Sequence, residues 1–299
     1  MFEVSAEVRN AIAAGRPVVA LESTIFTHGL PRPRNLEVAR EAESRLRDAG
    51  VVPATIGVVD GVPTVGLTDG QIERLSNDDN AVKASVRDLP VAAVKKLSGG
   101  STVAATALLA HKAGIEVFAT GGLGGVHEGA GTSFDESADL FTLAEVPVLV
   151  VSAGAKSILD ISATLERLET LSIPVVGYRT HRYPGFYVVD SGHELDFSVS
   201  GPQEAAGLVA ARRELGTRAA LLIANPVPED EQLPPEEHDR VVAEAWQAAR
   251  EQNIIGQDTT PFLLEHIVQA TGGRSLEVNI AVYRNNISVG AEIAKAMAV

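Results

Sequence analysis

The sequence contains no cysteine in its 299 residues. Disulfide bonds and thiolate chemistry are therefore excluded, and nothing in the composition indicates an oxidising compartment. Aromatic residues are also few, at 4%, although hydrophobic residues reach 45%. A core built mainly from Ala, Val and Leu is typical of helices packed closely against a sheet.

Positive charge is also scarce. Lys and Arg number 25 against 39 Asp and Glu, which gives a formal net charge of −14. This balance argues against nucleic acid or an anionic membrane as the main partner, although a local basic pocket could still bind a phosphorylated metabolite. No apolar run approaches the ~20 residues of a membrane span, and the N-terminus lacks the basic start and apolar core of a signal peptide. We therefore expect a soluble, cytoplasmic protein.

Apolar, β-branched runs alternate with helical patterns along the chain. The runs 17–21, 54–59 and 146–151 are typical of strands buried in a parallel sheet. A first helix is expected over 4–15. The alternation, without an internal repeat or a clear linker, predicts a single α/β domain spanning 1–299. We expect three layers, α/β/α, with a mostly parallel sheet and helices on both faces.

The stretch 132–160 contains the strongest candidate for a reactive group. Its strand ends at Gly154, and Ser157 with Asp160 three residues later is a variant of the box that caps a helix N-terminus. Lys156 is therefore expected between a buried strand and a helix, at the sheet edge where ligands bind. Burial and the positive end of a helix both disfavour an ammonium ion, and a neutral amine suits nucleophilic or Schiff-base chemistry. The alternative is an ordinary surface lysine at a helix start.

Other polar groups follow strands or glycine-rich turns. Glu22 ends the strand 17–21 and is a candidate general acid or base, or else a partner in an ion pair. Lys83 and Arg87 could grip a phosphate, or could belong to a solvated face. Residues 99–102 are expected to open a helix whose free N–H groups bind an anion.

Two loops and one helical segment carry further candidates. His127 lies in the glycine-rich loop 121–131 and is either an acid/base group or a loop residue that forms hydrogen bonds. The loop 178–186 is rich in Tyr, Arg and His, which suits a lid or a subunit contact. Asn279 and Asn286 interrupt the apolar faces of the C-terminal segment, where buried asparagines usually satisfy backbone groups.

Seven motifs extend along nearly the whole chain. They are ALESTIFTHGLPRPRN, KASVRDL, GGSTVAAT, FATGGLGGVH, TSFDESADL, GAKSILDIS and NPVPE. With these motifs the sequence resembles the pseudouridine-5′-phosphate glycosidase family, also called indigoidine synthase A-like, from near its start to its end. The resemblance implies reversible cleavage of the C–C glycosidic bond of pseudouridine 5′-phosphate to uracil and ribose 5-phosphate, with a divalent metal, typically Mn2+. It also implies a homotrimer.

The resemblance assigns roles to individual residues. Lys156 matches the Schiff-base lysine, Glu22 the acid/base glutamate and Asp135 the metal-binding aspartate, with waters completing an oxygen-rich shell. Val86 and Glu136 depart from the family pattern, since an arginine and an apolar residue are usual there. The positions that bind substrate in the family fall on Lys83, Val103 (through its backbone), Ser137, Ala138, Asp139 and Asn279.

Two other functions stay open. One is a relative that acts on another phosphorylated C-nucleoside, in the biosynthesis of a pigment such as indigoidine. The other is a non-catalytic protein that binds a phosphosugar in the same pocket. All three functions require a phosphorylated sugar, and none requires nucleic acid or a membrane as partner.

Overall fold

A mostly parallel sheet forms the centre of the computed structural model, which describes residues 2–254 and 259–298. Its strands in this part are β1 (Glu3–Val4), β2 (Val18–Leu21), β3 (Val52–Val59), β4 (Val62–Val65), β5 (Val82–Ala84), β6 (Gly99–Ser101), β7 (Val117–Ala119), β8 (Leu149–Ser152), β9 (Val175–Tyr178), β10 (Ser198–Val199) and β11 (Leu221–Ala224). The spatial order is β1-β4-β3-β2-β7-β8-β11-β9-β10, and β6 joins β3 to β5. Among these strands, β3 pairs antiparallel with β4 and with β6, and the other pairs are parallel.

Helices cover both faces of the sheet. The described helices are α1 (Ala6–Ala13), α2 (Arg34–Asp48), α3 (Asp69–Asn77), α4 (Leu89–Lys95), α5 (Val103–Ala113), α6 (Ala130–Ser133), α7 (Ala138–Glu145), α8 (Ile161–Thr170), α9 (Pro202–Leu215), α10 (Pro235–Glu251), α11 (Thr259–Ala270) and α12 (Arg274–Met297), with a π turn at Ile25–Gly29 and a 3₁₀ turn at Val86–Asp88. Of the described helices, none is both long and apolar enough to cross a membrane.

Alternate residues of the central strands supply two separate cores. Val19 and Leu21 of β2 pack with α2, α9 and α12, whereas Val18 and Ala20 pack with α1, α5 and α7. This is the result of the two-residue period of a strand, which sends successive side chains to opposite faces. The predicted three-layer α/β/α class with a mostly parallel sheet is confirmed.

A third core covers the carboxyl edge of the sheet. Ala153, Ala155 and Ile158, which follow β8, pack with buried residues of α10 and α11. The helical pair α10 and α11 therefore covers the segment that contains Lys156.

Three local predictions are wrong. The strand β1 precedes α1, where a helix was expected from residue 4. Residues 99–101 form β6 and do not open a helix, because they pair with β3 on one side and β5 on the other. The helix expected at Ser157 begins at Ile161, and Asp160 is its cap, with Oδ1 accepting the N–H of Ala163 at 2.9 Å.

Candidate active site

Three neighbouring parallel strands, β2, β7 and β8, end at the same edge of the sheet, and polar residues follow them. Leu21 of β2 pairs with Ala119 of β7, so that Glu22 and Thr120 come side by side. The Glu22 carboxylate is 7% exposed and accepts hydrogen bonds from the Thr120 hydroxyl on one oxygen and from the Thr24 hydroxyl on the other. Both oxygens of the predicted acid/base group are therefore held in place.

The segment after β8 carries Lys156 and continues the pairing with the loop after β7. The N–H of Leu123 donates to the Gly154 carbonyl at 2.9 Å, and the N–H of Lys156 donates to the Leu123 carbonyl at 3.1 Å. These bonds place the half-buried Lys156 at the same edge as Glu22. The lysine follows a buried strand, as predicted, but it lies on irregular, bridged backbone before α8 and not at the helix start.

Lys83 on β5 belongs to the same cluster of charges. Burial by the walls of the site lowers the pKa of the Lys83 ammonium, and the positive charge of Lys156 lowers it further. The carboxylates of Asp139 and Glu22 act in the opposite direction. The side chain keeps contact with solvent, so it stands in a cleft that is only partly dehydrated. Because charge–charge effects of this kind require proximity, the structure brings these four predicted residues together.

Asp139 is buried in the wall of the site and binds backbone. Its Oδ1 accepts the N–H of Ala104 at 2.9 Å, and its Oδ2 accepts the N–H of Gly124 at 2.8 Å. A Cβ on Gly124 would lie 2.2 Å from Ser137 Oγ, so only glycine allows this approach. Ala138, between Ser137 and Asp139, is exposed. The Asp139 carboxylate therefore joins α5 to the glycine-rich loop.

The first turn of α5 presents a free backbone donor. Thr102 caps the helix, and its Oγ1 accepts the N–H of Ala105 at 3.3 Å. Asp139 takes the N–H of Ala104. In the part of the chain that the structure describes, the N–H of Val103 finds no protein acceptor. A backbone contact from Val103 to a ligand remains a prediction, and this geometry is compatible with it.

His127 lies beside Asp135 and near both lysines. The backbone N–H of His127 donates to the backbone carbonyl of Asp135 at 3.0 Å. Burial lowers the pKa of the His127 imidazole, Asp135 raises it, and the charges of Lys156 and Lys83 lower it again. Its Nδ1 is buried without a hydrogen-bond partner among the described residues. The sequence favoured a simple loop residue here, whereas the structure places His127 in the cluster.

The half-buried Asp135 is the position where the resemblance predicts a metal. Within 2–254 and 259–298, no three His, Cys, Asp or Glu side chains are grouped closely enough to bind an ion. One carboxylate, with the unpartnered imidazole of His127 near it, suits a hard divalent cation that keeps most of its water ligands. The residues present therefore fit the predicted shell of one aspartate and several waters.

The C-terminal helix α12 closes the site from the other face. A Cβ on Gly121 would lie 3.5 Å from Asn279 Oδ1, so this amide is next to the loop after β7. Two turns further along the helix, the buried Asn286 donates its side-chain N–H to the carbonyls of Thr120 (2.7 Å) and Gly121 (3.2 Å). Its Oδ1 accepts from the Asn225 side chain (2.9 Å). Asn286 thus satisfies backbone groups, as expected of a buried asparagine.

Some contributors were not identified from the sequence. Thr24 and Thr120 hold Glu22, and their only signal was their place at strand ends. His28 lies near Lys83, since burial and the charge of Lys83 lower the pKa of its imidazole. The side chain of Arg87, which was proposed to bind a phosphate together with Lys83, is exposed, and its Nε lies 3.6 Å from Asp88 Oδ1.

A three-layer α/β fold with a lysine and a buried glutamate at the carboxyl edge of its sheet places the protein among the α/β enzymes. The family model described as indigoidine synthase A like protein matches residues 7–296. The chain belongs to this family.

Individual relatives agree with the family assignment. A protein of Saccharopolyspora erythraea named pseudouridine-5′-phosphate glycosidase is 71% identical over 295 residues, which cover 99% of this chain and 97% of the relative. The crystal structure of an indigoidine synthase A-like protein from Thermotoga maritima is similar with a TM-score of 0.91 and 35% identity, and covers 100% of this chain and 97% of its own. The prealnumycin C-glycosynthase AlnA, solved in complex with ribulose 5-phosphate, is similar with a TM-score of 0.92 and 34% identity over the same shares.

Proposed function

We propose that the protein is an enzyme that reversibly cleaves the C–C glycosidic bond of pseudouridine 5′-phosphate, releasing uracil and ribose 5-phosphate. The observation that carries this proposal is that Lys156 and the doubly held Glu22 follow neighbouring strands at one sheet edge, with Lys83 near enough for their charges to shift its pKa. The name of the relative at 71% identity supports the same substrate. The role implied is in pseudouridine catabolism, and a cytoplasmic location and a homotrimer remain predictions.

The chemistry of a C-glycoside explains why a lysine is needed. The bond to be broken joins two carbons, so no leaving-group oxygen or nitrogen can simply be protonated, and a pair of carboxylates does not suffice. In the proposed reaction the C1′–O4′ bond breaks as the ribose ring opens, and the neutral amine of Lys156 bonds to C1′ and loses a proton. The nitrogen lone pair then forms an iminium as the bond from C1′ to uracil breaks, and water releases ribose 5-phosphate.

Glu22 is proposed as the group that moves protons. The ring oxygen gains a proton when the ribose opens, and the uracil carbon gains one when the C–C bond breaks. A carboxylate held on both oxygens by Thr24 and Thr120 has one orientation, and this reduces the reorganisation needed for proton transfer.

The remaining cluster is proposed to bind the substrate. The ammonium of Lys83 would pair with phosphate, the N–H of Val103 would donate to an oxygen, and Asn279 would contact the base or sugar. The motif Ser137, Ala138 and Asp139 lines the wall, where Asp139 holds the backbone in position.

Asp135 is proposed to hold Mn2+ or another divalent metal, with waters in the other positions and His127 close by. When bound, such a cation supplies positive charge for the oxygens of a phosphorylated sugar. The proton transfers and the imine are assigned to the side chains of this chain.

A second candidate function is C–C bond formation between a phosphorylated sugar and an acceptor other than uracil. It is favoured by the similarity to the C-glycosynthase AlnA, whose structure holds ribulose 5-phosphate. An enzyme that acts on a related phosphorylated C-nucleoside in a pigment pathway would use the same lysine and glutamate.

One assay separates these functions from mere phosphosugar binding. The protein is mixed with pseudouridine 5′-phosphate and Mn2+, and uracil and ribose 5-phosphate are measured by chromatography. Formation of both products, reversed when they are supplied together, supports the main proposal. Binding of the nucleotide without turnover supports a non-catalytic protein. Turnover only with an acceptor other than uracil supports the synthase.

A further inference from the structure

The loop 178–186 has an exposed part, with Arg179, His181 and Arg182, and a buried part that begins at Tyr183. Tyr183 is 1% exposed, and Phe186 is equally buried. The backbone of Tyr183 is held from two sides, since its N–H donates to the His193 carbonyl at 2.8 Å and its carbonyl accepts the N–H of Ser191 at 2.9 Å. Tyr183 is therefore a buried residue on anchored backbone, and the lid or subunit contact expected of the loop remains a prediction.

The Tyr183 hydroxyl reaches the backbone directly before Lys156. It accepts the N–H of Ala155 at 2.7 Å, and this bond is fully buried. Burial raises the pKa of the phenol to about 12, so the group stays a neutral hydroxyl. The ring also packs against Gly154, whose φ of +74° bends the segment, and a Cβ there would lie 2.8 Å from Tyr183 Cζ.

Hydrogen bonds thus hold the backbone of the segment 153–156 along both of its edges. On one edge, Leu123 donates to the Gly154 carbonyl and accepts the N–H of Lys156. The N–H of Ala155 points to the opposite edge, as alternation along an extended backbone requires, and there the Tyr183 hydroxyl is its acceptor. A short irregular segment that lacks a second strand would otherwise leave this N–H buried and unpaired.

We propose that Tyr183 is a positioning residue, which holds the backbone at Ala155 so that the amine of Lys156 meets C1′ of the sugar. This inference rests on the proposed function, because it concerns the approach of Lys156 to its substrate. The hydroxyl bonds to buried backbone, and the proposal assigns it no contact with the substrate or the reacting atoms. Its loss should therefore slow the formation of the imine and leave the binding of the phosphosugar nearly unchanged.

The test compares Tyr183→Phe with Tyr187→Phe. Tyr187 is equally buried, at 1% exposure, but its hydroxyl forms no described hydrogen bond to the segment of Lys156. Each protein is mixed with saturating ribose 5-phosphate and borohydride, and the rate of adduct formation on Lys156 is measured by mass spectrometry. A misplacement of about 1 Å can cost on the order of 100-fold in rate. We therefore expect the trapping rate of Tyr183→Phe to fall by about 10- to 100-fold. Its KM for pseudouridine 5′-phosphate, from steady-state kinetics, should stay within about threefold of the wild type. We expect no more than about a twofold change for Tyr187→Phe.

Thermal unfolding of both variants shows whether each is folded at the assay temperature. Should Tyr183→Phe not fold, Ser191→Ala removes a hydroxyl that donates to the Tyr183 carbonyl at 2.8 Å and is expected to slow trapping by a smaller factor. Wild-type trapping rates in folded Tyr183→Phe, or in Ser191→Ala when only that variant folds, would overturn the inference alone. An absence of any Lys156 adduct in the wild type would overturn both the proposed function and this inference.

Discussion

Four candidate residues of the site fall into two groups of one amine and one carboxylate, called here the inner and the outer pair, and the fold supports the two groups differently. The inner pair, Glu22 and Lys156, follows central strands of the sheet, and hydrogen bonds hold the Glu22 carboxylate and the Lys156 backbone. The outer pair, Lys83 and Asp135, lies on the short strand β5 and on a loop, and Lys83 is exposed whereas Lys156 is half-buried. The strands and helices of the fold therefore restrain the inner pair more strongly.

This difference indicates a division of labour. Bond-making groups must hold one geometry within a fraction of an ångström, which requires rigid support. Groups that attract a phosphate or a hydrated cation act through charge, and charge tolerates small displacements. We therefore expect changes in the inner pair to lower kcat, and changes in the outer pair to act mainly on KM or metal affinity.

The largest effect is expected at Lys156. Lys156→Ala should lower kcat by on the order of 10⁴-fold or more, because the group that forms the covalent bond is lost. Lys156→Arg should be equally inactive, since a guanidinium keeps the charge but cannot form an imine. The adduct trapped by borohydride in the wild type should map to the peptide containing Lys156. An adduct on Lys83, or near-normal turnover by Lys156→Ala, would reverse the assignment of the two amines.

Glu22→Gln should give the next largest loss. The amide keeps the shape of the side chain but cannot exchange a proton, so kcat should fall by about 10²- to 10⁴-fold, with a small change in KM. Steady-state kinetics and a thermal melt measure this. Thr24→Val is the matched control for the lost restraint, since it leaves the carboxyl group and removes one of its two donors. A Glu22→Gln enzyme with normal kcat would show that the inner carboxylate is only structural.

Asp135→Asn should weaken the metal and leave the fold intact. Loss of a group that supports a metal ligand commonly costs about 10- to 100-fold in affinity, so removal of the main ligand itself should cost at least the upper end. Titration of Mn2+ by calorimetry reads this directly, and kcat should lose its manganese dependence. Glu136→Gln is the control, because the Glu136 carboxylate instead accepts from Arg167 at 2.8 Å. Unchanged manganese affinity in Asp135→Asn would show that Asp135 is not the metal ligand.

The smallest effect on kcat is expected at Lys83. Lys83→Met should raise KM by about 10- to 100-fold, since a hydrogen bond to a charged group contributes about 1.5–3 kcal/mol. The pKa of the Lys83 ammonium is lowered by burial and by Lys156, so its charge is present at low pH and is lost, as pH rises, before that of an ordinary lysine. The wild-type KM should therefore rise on the alkaline side, whereas Lys83→Arg should keep KM flat there. If KM rose equally at alkaline pH in the wild type and in Lys83→Arg, the titrating group would not be Lys83.

Much of the inner pair could be predicted from local sequence, and less of the outer pair. The apolar runs before Glu22 and Lys156 identified the strands, and strand ends in a parallel sheet share one edge. The same reasoning failed at residues 99–101, where two glycines and a serine become a strand because β3 and β5 pair with them from either side. It also failed for the start of α8, because pairing with the loop after β7 keeps the chain out of a helix up to Asp160.

The sequence by itself determined the class of fold, through the periods of its apolar residues, and the identity of the candidate reacting groups, through its motifs. The tertiary structure decided which groups meet and how firmly each is held. His127 joins the cluster, and Tyr183 supports the segment of Lys156, through contacts between residues far apart in the chain. Such contacts leave no periodic signal, since a single hydrogen bond between distant segments depends on the packing of every element that lies between them.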